Sequence, residues 1–195
     1  MRNKDENKEA IIREKAIEMI VEKGFDGLSM QKLAKAANLS ASTIYIYFEN
    51  REDLLNQLYI KVEKEFEQDA LKGFDKNAPF ATGLWQQWLA RFQNVMKNPT
   101  AFMFYNQFRN SPLIKYKKIE EPEFTKIMRA FVKNAVAKNE IIALPVEIFW
   151  AIAYGPFYTL IKFHLDQASM SGKPFSLDER KMKGAFDLVL KALQP

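Results

Sequence analysis

The sequence has no cysteine, a single histidine, seven glycines and eight prolines in 195 residues. Without cysteine there is no disulfide framework and no thiolate chemistry, which fits a reducing compartment and leads us to expect the cytoplasm. The one histidine, His164, has no His-x-x-His or Glu-x-x-His companion, so no metal site is assigned. No Ser-His-Asp arrangement follows from spacing and no Gly-rich phosphate loop is present, so neither a catalytic residue nor a cofactor is assigned and the chain does not read as an enzyme. Long apolar runs are missing as well. The best membrane candidate, Ile148 to Ile161, is closed by Glu147 and Lys162 and leaves 14 uncharged residues. A spanning helix needs about 20, so a buried helix is expected and no membrane partner. The charged N-terminus lacks the apolar core of a secretory signal.

Sparse glycine and proline and the lack of strand-like alternation predict an all-α chain. Hydrophobic residues make up 48% of it, enough for a full core. The net charge of +5 is unevenly placed. Through Glu52 nine Lys and Arg are balanced by nine Asp and Glu, so the whole excess lies further on. Bulk charge therefore gives the N-terminal quarter no pull on nucleic acid, and any such role must come from motif and placement.

The chain is organised around residues 29 to 55, SMQKLAKAANLSASTIYIYFENREDLL. Ser29 is a good N-cap, with Leu33, Ala34 and Ala37 at helical spacing behind it. Asn38 accepts a left-handed turn and Ser40 caps the next helix, Ala41 to Phe48, whose Ile44 and Phe48 face inward with Leu39. Asn50 caps a third helix, with Glu52 and Asp53 in the first turn where the dipole favours acids. Two short helices joined by a tight turn form a helix-turn-helix.

The runs Leu33-Ala34-Lys35-Ala36-Ala37-Asn38-Leu39-Ser40, Thr43-Ile44-Tyr45-Ile46-Tyr47-Phe48 and Asn50-Arg51-Glu52-Asp53-Leu54-Leu55 resemble the DNA-binding domain of TetR-type repressors. The resemblance covers about the first quarter of the chain. Asn38 stands where the family usually has glycine and Arg51 where it has lysine; both keep the physics, a left-handed turn and a cation. The second helix of the motif carries no basic residue at all. The resemblance implies an N-terminal three-helix helix-turn-helix domain (residues 1–52) and a C-terminal six-helix ligand-binding and dimerisation domain (53–195). Candidate DNA contacts are Ser29, Gln31, Lys32, Ala41, Ser42, Thr43, Tyr45, Tyr47 and Arg51. Resemblance and helix geometry turn Gln31, Ala41, Ser42 and Thr43 toward base edges, where glutamine can bond adenine and hydroxyls or methyls can meet either base. Tyr45, Tyr47 and Arg51 are expected on phosphates with the amide end of the helix at Asn50, and Lys35 and the tail residues Arg2, Lys4 and Lys8 can add to them. The alternative for both tyrosines is packing.

Further along, helices are expected over 6–23, 50–72, 79–97, 101–109 and 121–139, with Asn98-Pro99 opening the short aromatic one. Pro145 starts the longest apolar helix, to about Met170, with a kink at Gly155-Pro156. Ser176 to Glu179 reads as a capping box for the last helix. The Lys115-Lys117-Lys118 run and the Glu120-Glu121-Glu123 cluster read as solvated. The body is rich in aromatic rings, and each alone is most simply core. Together they suggest a ligand cavity lined by Trp88, Phe92, Phe104, Tyr105, Phe108, Trp150, Tyr154 and Tyr158.

The partners implied by the resemblance are double-stranded DNA with a pseudo-palindromic operator, a small-molecule effector, and a second copy bound through the last two helices. A rival expectation is a helical carrier or sensor of hydrophobic small molecules with little DNA binding, which the weak basicity of the N-terminal region keeps open.

Overall fold

A computed structural model describes residues 5–111, 123–167 and 170–195. Arg2, Lys4, Lys115, Lys117, Lys118, Glu120 and Glu121 lie outside the described residues. Within them the fold is all-α: ten α-helices and one short 3-10 turn, with no strand. No helix among them is long and apolar enough to cross a membrane.

Local chemistry sets most of the boundaries in the first part of the chain. Helix α1 (Glu6–Lys23) starts at Asp5, whose carboxylate accepts from the Asn7 and Lys8 amides, and ends at Gly24 with φ +69°. After the turn Phe25–Gly27, the Ser29 hydroxyl caps α2 (Met30–Ala36) by accepting from the Lys32 amide at 3.2 Å. Asn38 takes φ +54°, the left-handed residue the turn requires, and Ser40 caps α3 (Ala41–Tyr47) through the Thr43 amide at 3.1 Å. Helix α4 (Arg51–Leu71) opens under Asn50, whose Oδ1 accepts from the Asp53 amide, while the Asp53 carboxylate accepts in return from the Glu49 amide.

The later helices are α5 (Phe80–Lys97), α6 (Pro99–Arg109), α7 (Glu123–Ala137), α8 (Val146–Ala153), α9 (Gly155–Leu165) and α10 (Glu179–Leu193). Asn98 caps α6 and Pro99 supplies its first residue, as the sequence predicts. The expected kink is a full interruption. Tyr154, at φ −123° and ψ −23°, separates α8 from α9, and Pro156, lacking an amide hydrogen, sits in the first turn of the second piece. The capping box is displaced. Asp178, not Ser176, caps α10, its carboxylate accepting from the Lys181 amide at 2.8 Å and pairing with the Lys181 ammonium at 2.8 Å. A charged acceptor outcompetes a hydroxyl two residues away, and those bonds hold the Asp178 carboxyl below its usual range.

The chain forms two compact units, Met1–Phe66 with Lys97–Lys118, and Glu67–Met96 with Ile119–Pro195. In the first, Ile12, Ala16 and Ile20 of α1 share a buried cluster with Leu33, Ile44 and Phe48, and with Leu58 and Val62 of α4. Phe104 and Phe108 of α6 belong to that same cluster. This geometric division differs from a boundary at residue 52, because most of α4 and all of α6 group with the N-terminal helices.

The second unit is built on rings. Trp88 is fully buried, donates its indole N–H to the Ala153 carbonyl at 2.9 Å, and packs against Phe157 and Phe186. Phe131 lies against Phe74 and Phe80, and its ring comes so close to α5 that a Cβ on Gly83 would stand 2.5 Å from it. His164 accepts from the Leu177 amide through Nδ1 at 3.1 Å, a satisfied packing residue holding the segment before α10.

Candidate nucleic-acid interface

Helix α3 has seven residues, and its periodicity decides what it can show a partner. Ile44, Tyr47 and Phe48 face inward at i, i+3 and i+4. Ser42, Tyr45 and Ile46 are left outward, with Tyr45 53% and Ile46 40% exposed and Ala41 and Thr43 partly exposed beside them. Gln31, Lys32 and Lys35 of α2 are exposed as well, and Ser29 is half-buried with its hydroxyl spent on the cap. Hydroxyls gather at the start of α3. Ser40 Oγ lies 2.8 Å from both Ser42 Oγ and Thr43 Oγ1, so these groups orient one another before any partner arrives.

Two residues expected on phosphates are engaged elsewhere. The Tyr47 ring is buried, and its hydroxyl accepts from the Asp5 amide at 3.1 Å and donates to the Asp5 carbonyl at 3.2 Å. It closes the start of α1 against the end of α3. Packing, the alternative reading, describes Tyr47, while exposure keeps Tyr45 available. Arg51 donates Nε to the Leu28 carbonyl at 3.1 Å and Nη2 to the Phe25 carbonyl at 2.5 Å. Its guanidinium thus fastens the turn between α1 and α2 to the first turn of α4. The amide end at Asn50 is similarly occupied by the reciprocal cap with Asp53. Sequence reasoning missed Ile46 as a surface group. The signal was the i, i+3 relation of Tyr47 to Ile44, which turns Tyr47 in and Ile46 out.

The outward groups that remain are a short polar and aromatic ridge (Ser42, Tyr45, Ile46) flanked by Gln31, Lys32 and Lys35. That set can meet base edges through hydroxyl, amide and methyl groups and phosphates through two lysines.

Residues 12–58 match the family described as bacterial regulatory proteins, tetR family. Over that quarter of its length the chain is similar to the family. An uncharacterised helix-turn-helix transcriptional regulator of Haemophilus influenzae is 36% identical over 97 residues, 50% of this chain and 52% of the relative. A fatty acid metabolism regulator of Bacillus subtilis is 43% identical over 44 residues, 23% of each chain. The chain thus spans about half the length of the first of these relatives and less than a quarter of the second. A tetR-family transcription regulator from Marinobacter aquaeolei superposes with a TM-score of 0.78 over 99% of this chain and 98% of that one, at 24% identity. That likeness is one of fold.

Beyond the matched segment, the eight aromatic residues expected around a ligand fall into two sets. Phe104, Tyr105 and Phe108 belong to the first unit, where Tyr59 stacks on Tyr105 at 5.3 Å and on Phe108 at 4.9 Å. Burial, then Tyr105 and Glu63, raises the Tyr59 phenol well above its ordinary value.

Trp88, Phe92, Trp150, Tyr154 and Tyr158 belong to the second unit, with a residue the sequence did not single out, Arg91. Its guanidinium lies 4.8 Å from the Tyr154 ring centre and 5.5 Å from that of Phe124, and its Nε donates to the Tyr158 hydroxyl at 3.3 Å. Its Nη1 reaches the Gln87 carbonyl at 3.1 Å and the Gln87 side-chain oxygen, and fully buried Gln87 donates in turn to the Ala70 carbonyl at 2.6 Å. The Tyr154 hydroxyl is buried with no hydrogen-bond partner, and desolvation pushes its pKa up to about 12. A cation, two phenols and a carboxamide thus form a polar cluster inside an aromatic unit.

Proposed function

We propose that this chain is a DNA-binding transcriptional regulator, a repressor that presents α3 in duplicate to a pseudo-palindromic operator. One observation carries the reading: within the segment that matches the family, Ser42, Tyr45 and Ile46 project from a helix whose opposite face is locked into the core. Ser42, Thr43, Ala41 and Gln31 are the base-side candidates, Tyr45, Lys32 and Lys35 the phosphate-side ones. Ser29, Tyr47 and Arg51 act through the geometry of the motif.

A second copy docks through the last helices. Support comes from Val146 and Ile148 of α8 and Leu188 of α10, large apolar residues left 69%, 47% and 67% exposed, and from open space beside Gly184. Two-fold symmetry then sets two recognition helices about one DNA turn apart. A small-molecule effector binds in the second unit at the centre formed by Arg91, Tyr154 and Tyr158, with Trp88, Phe92 and Trp150 as aromatic walls. Helix α4 runs from the first unit into the second, so a ligand that favours one placement of α4 changes the spacing of the two α3 helices. The protein works in the cytoplasm.

A gel-shift titration of the full chain against the DNA upstream of its own coding sequence tests the reading. Retardation that survives excess unrelated duplex is expected. Equal affinity for both duplexes would mean that α3 reads nothing.

A further inference from the structure

The residues of α3, ASTIYIY, carry no charge of either sign. Part of the helix's hydrogen-bonding capacity is already used, since Ser40 Oγ stands 2.8 Å from both Ser42 Oγ and Thr43 Oγ1. What α3 still turns outward is largely hydrocarbon. Of its outward residues Ser42, Tyr45 and Ile46, only Ile46, 40% exposed, has a wholly apolar side chain.

Nothing in the fold asks for isoleucine at this position. Ile44 and Tyr47 make the inward contacts, and a β-branched residue is less favourable than alanine on an exposed helical face. A lone surface isoleucine is ordinary, so what matters is the place of this one. It lies one turn after Ser42 and beside Tyr45, on the face proposed to enter the major groove. About 6 Å of helix separates Ser42 from Ile46, more than one base step of about 3.4 Å, so the two meet different base pairs. Glu49, exposed three residues beyond Ile46, is repelled by phosphates, which leaves the groove floor rather than the backbone for Ile46.

That floor presents one apolar group, the 5-methyl of thymine, among hydrogen-bond donors and acceptors. An isoleucine laid over the cytosine or adenine amine covers a polar group that it cannot satisfy, at a cost. Over a thymine methyl, both partners leave water. We propose that Ile46 is a specificity-determining residue of the operator contact and reads the 5-methyl group of a thymine in each half-site. The inference rests on the operator-binding reading above and adds to it a base that the half-site must contain.

The test is selection of duplexes from a randomised pool by the full-length protein, then fluorescence anisotropy on the enriched duplex. Each half-site should hold a fixed thymine. Replacing it with deoxyuridine removes the methyl group and leaves the pairing intact. That change should weaken binding about fourfold per half-site, the fold-change of one methyl group withdrawn from water. Replacing the same T·A pair with C·G should weaken binding further. Ile46→Ala should keep the parent melting temperature, since the residue is exposed, and should bind the thymine and uracil duplexes equally. A full thymine preference retained by Ile46→Ala would assign the methyl contact to Ala41 or Thr43 and overturn the proposal. So would enriched duplexes in which no thymine-to-uracil change weakens the parent protein, or in which C·G serves as well as T·A. Those three results leave the operator reading standing, whereas a pool that enriches no sequence would overturn that reading and this inference with it.

Discussion

The two units spend their polar groups differently. In the first, the special polar side chains finish the backbone: Asp5, Ser29, Ser40 and Asn50 cap helices, Tyr47 closes on Asp5, and Arg51 binds two carbonyls. In the second, the interior polar groups are gathered around Arg91, and one of them, the Tyr154 hydroxyl, has no partner. A polar group that completes the fold is lost at a cost in stability. One that sits unmatched in a core costs stability while it is there, and under the proposed function the effector is what would supply its partner.

Alkaline titration gives the largest expected contrast. Tyr154, held at about 12, stays neutral when folded, while the unfolded phenol ionises near 10. Its contribution is therefore intact below pH 10 and is lost as pH rises from 10 toward 12, at about 1.4 kcal/mol per pH unit. Chemical denaturation from pH 9 to 11.5 should show this fall, and Tyr154→Phe should flatten it. Tyr59, with its raised pKa, makes the first unit lose stability over the same direction of pH.

Next comes Arg51→Ala, which removes two hydrogen bonds from a cation to backbone carbonyls and should cost about 2 kcal/mol in thermal or urea unfolding. Loss of DNA affinity with an unchanged melting curve would return Arg51 to the phosphates. The two tyrosines Tyr47 and Tyr154 sharpen the comparison, because the same change should act with opposite sign. Tyr47→Phe loses both bonds to Asp5 and should destabilise by about 1 kcal/mol, whereas Tyr154→Phe removes an unmatched hydroxyl and should stabilise by about 1 kcal/mol. Smallest in stability is Tyr45→Ala, within about 0.5 kcal/mol of the parent, yet it should weaken operator binding measured by fluorescence anisotropy.

What could be read from the sequence was whatever is decided within three or four residues. Ser29, Asn38, Ser40, Asn50 and the Asn98-Pro99 pair each act on an amide or a torsion close by, and each appears where its chemistry places it. Gly155-Pro156 announced the break between α8 and α9 for the same reason. Tyr47 and Arg51 were not legible, because their partners lie 42, 23 and 26 residues away. Arg91 was invisible to pattern reading, since a lone arginine on an amphipathic helix resembles a surface residue until the rings around it are known. Asp178 shows the limit of a motif: Ser176 to Glu179 fits the capping pattern, but the stronger acceptor two residues on took the position.

The central claim is that α3 reads DNA with few cations to help it, since Arg51 is turned to carbonyls and Lys32 and Lys35 are the exposed basic residues of the two-helix motif. The salt dependence of operator binding by the full chain tests it most directly. A shallow slope of log affinity against log salt, about four to six neutralised phosphates per dimer, is the predicted result. A slope corresponding to about ten or more would contradict it and place the contacts on other parts of the surface.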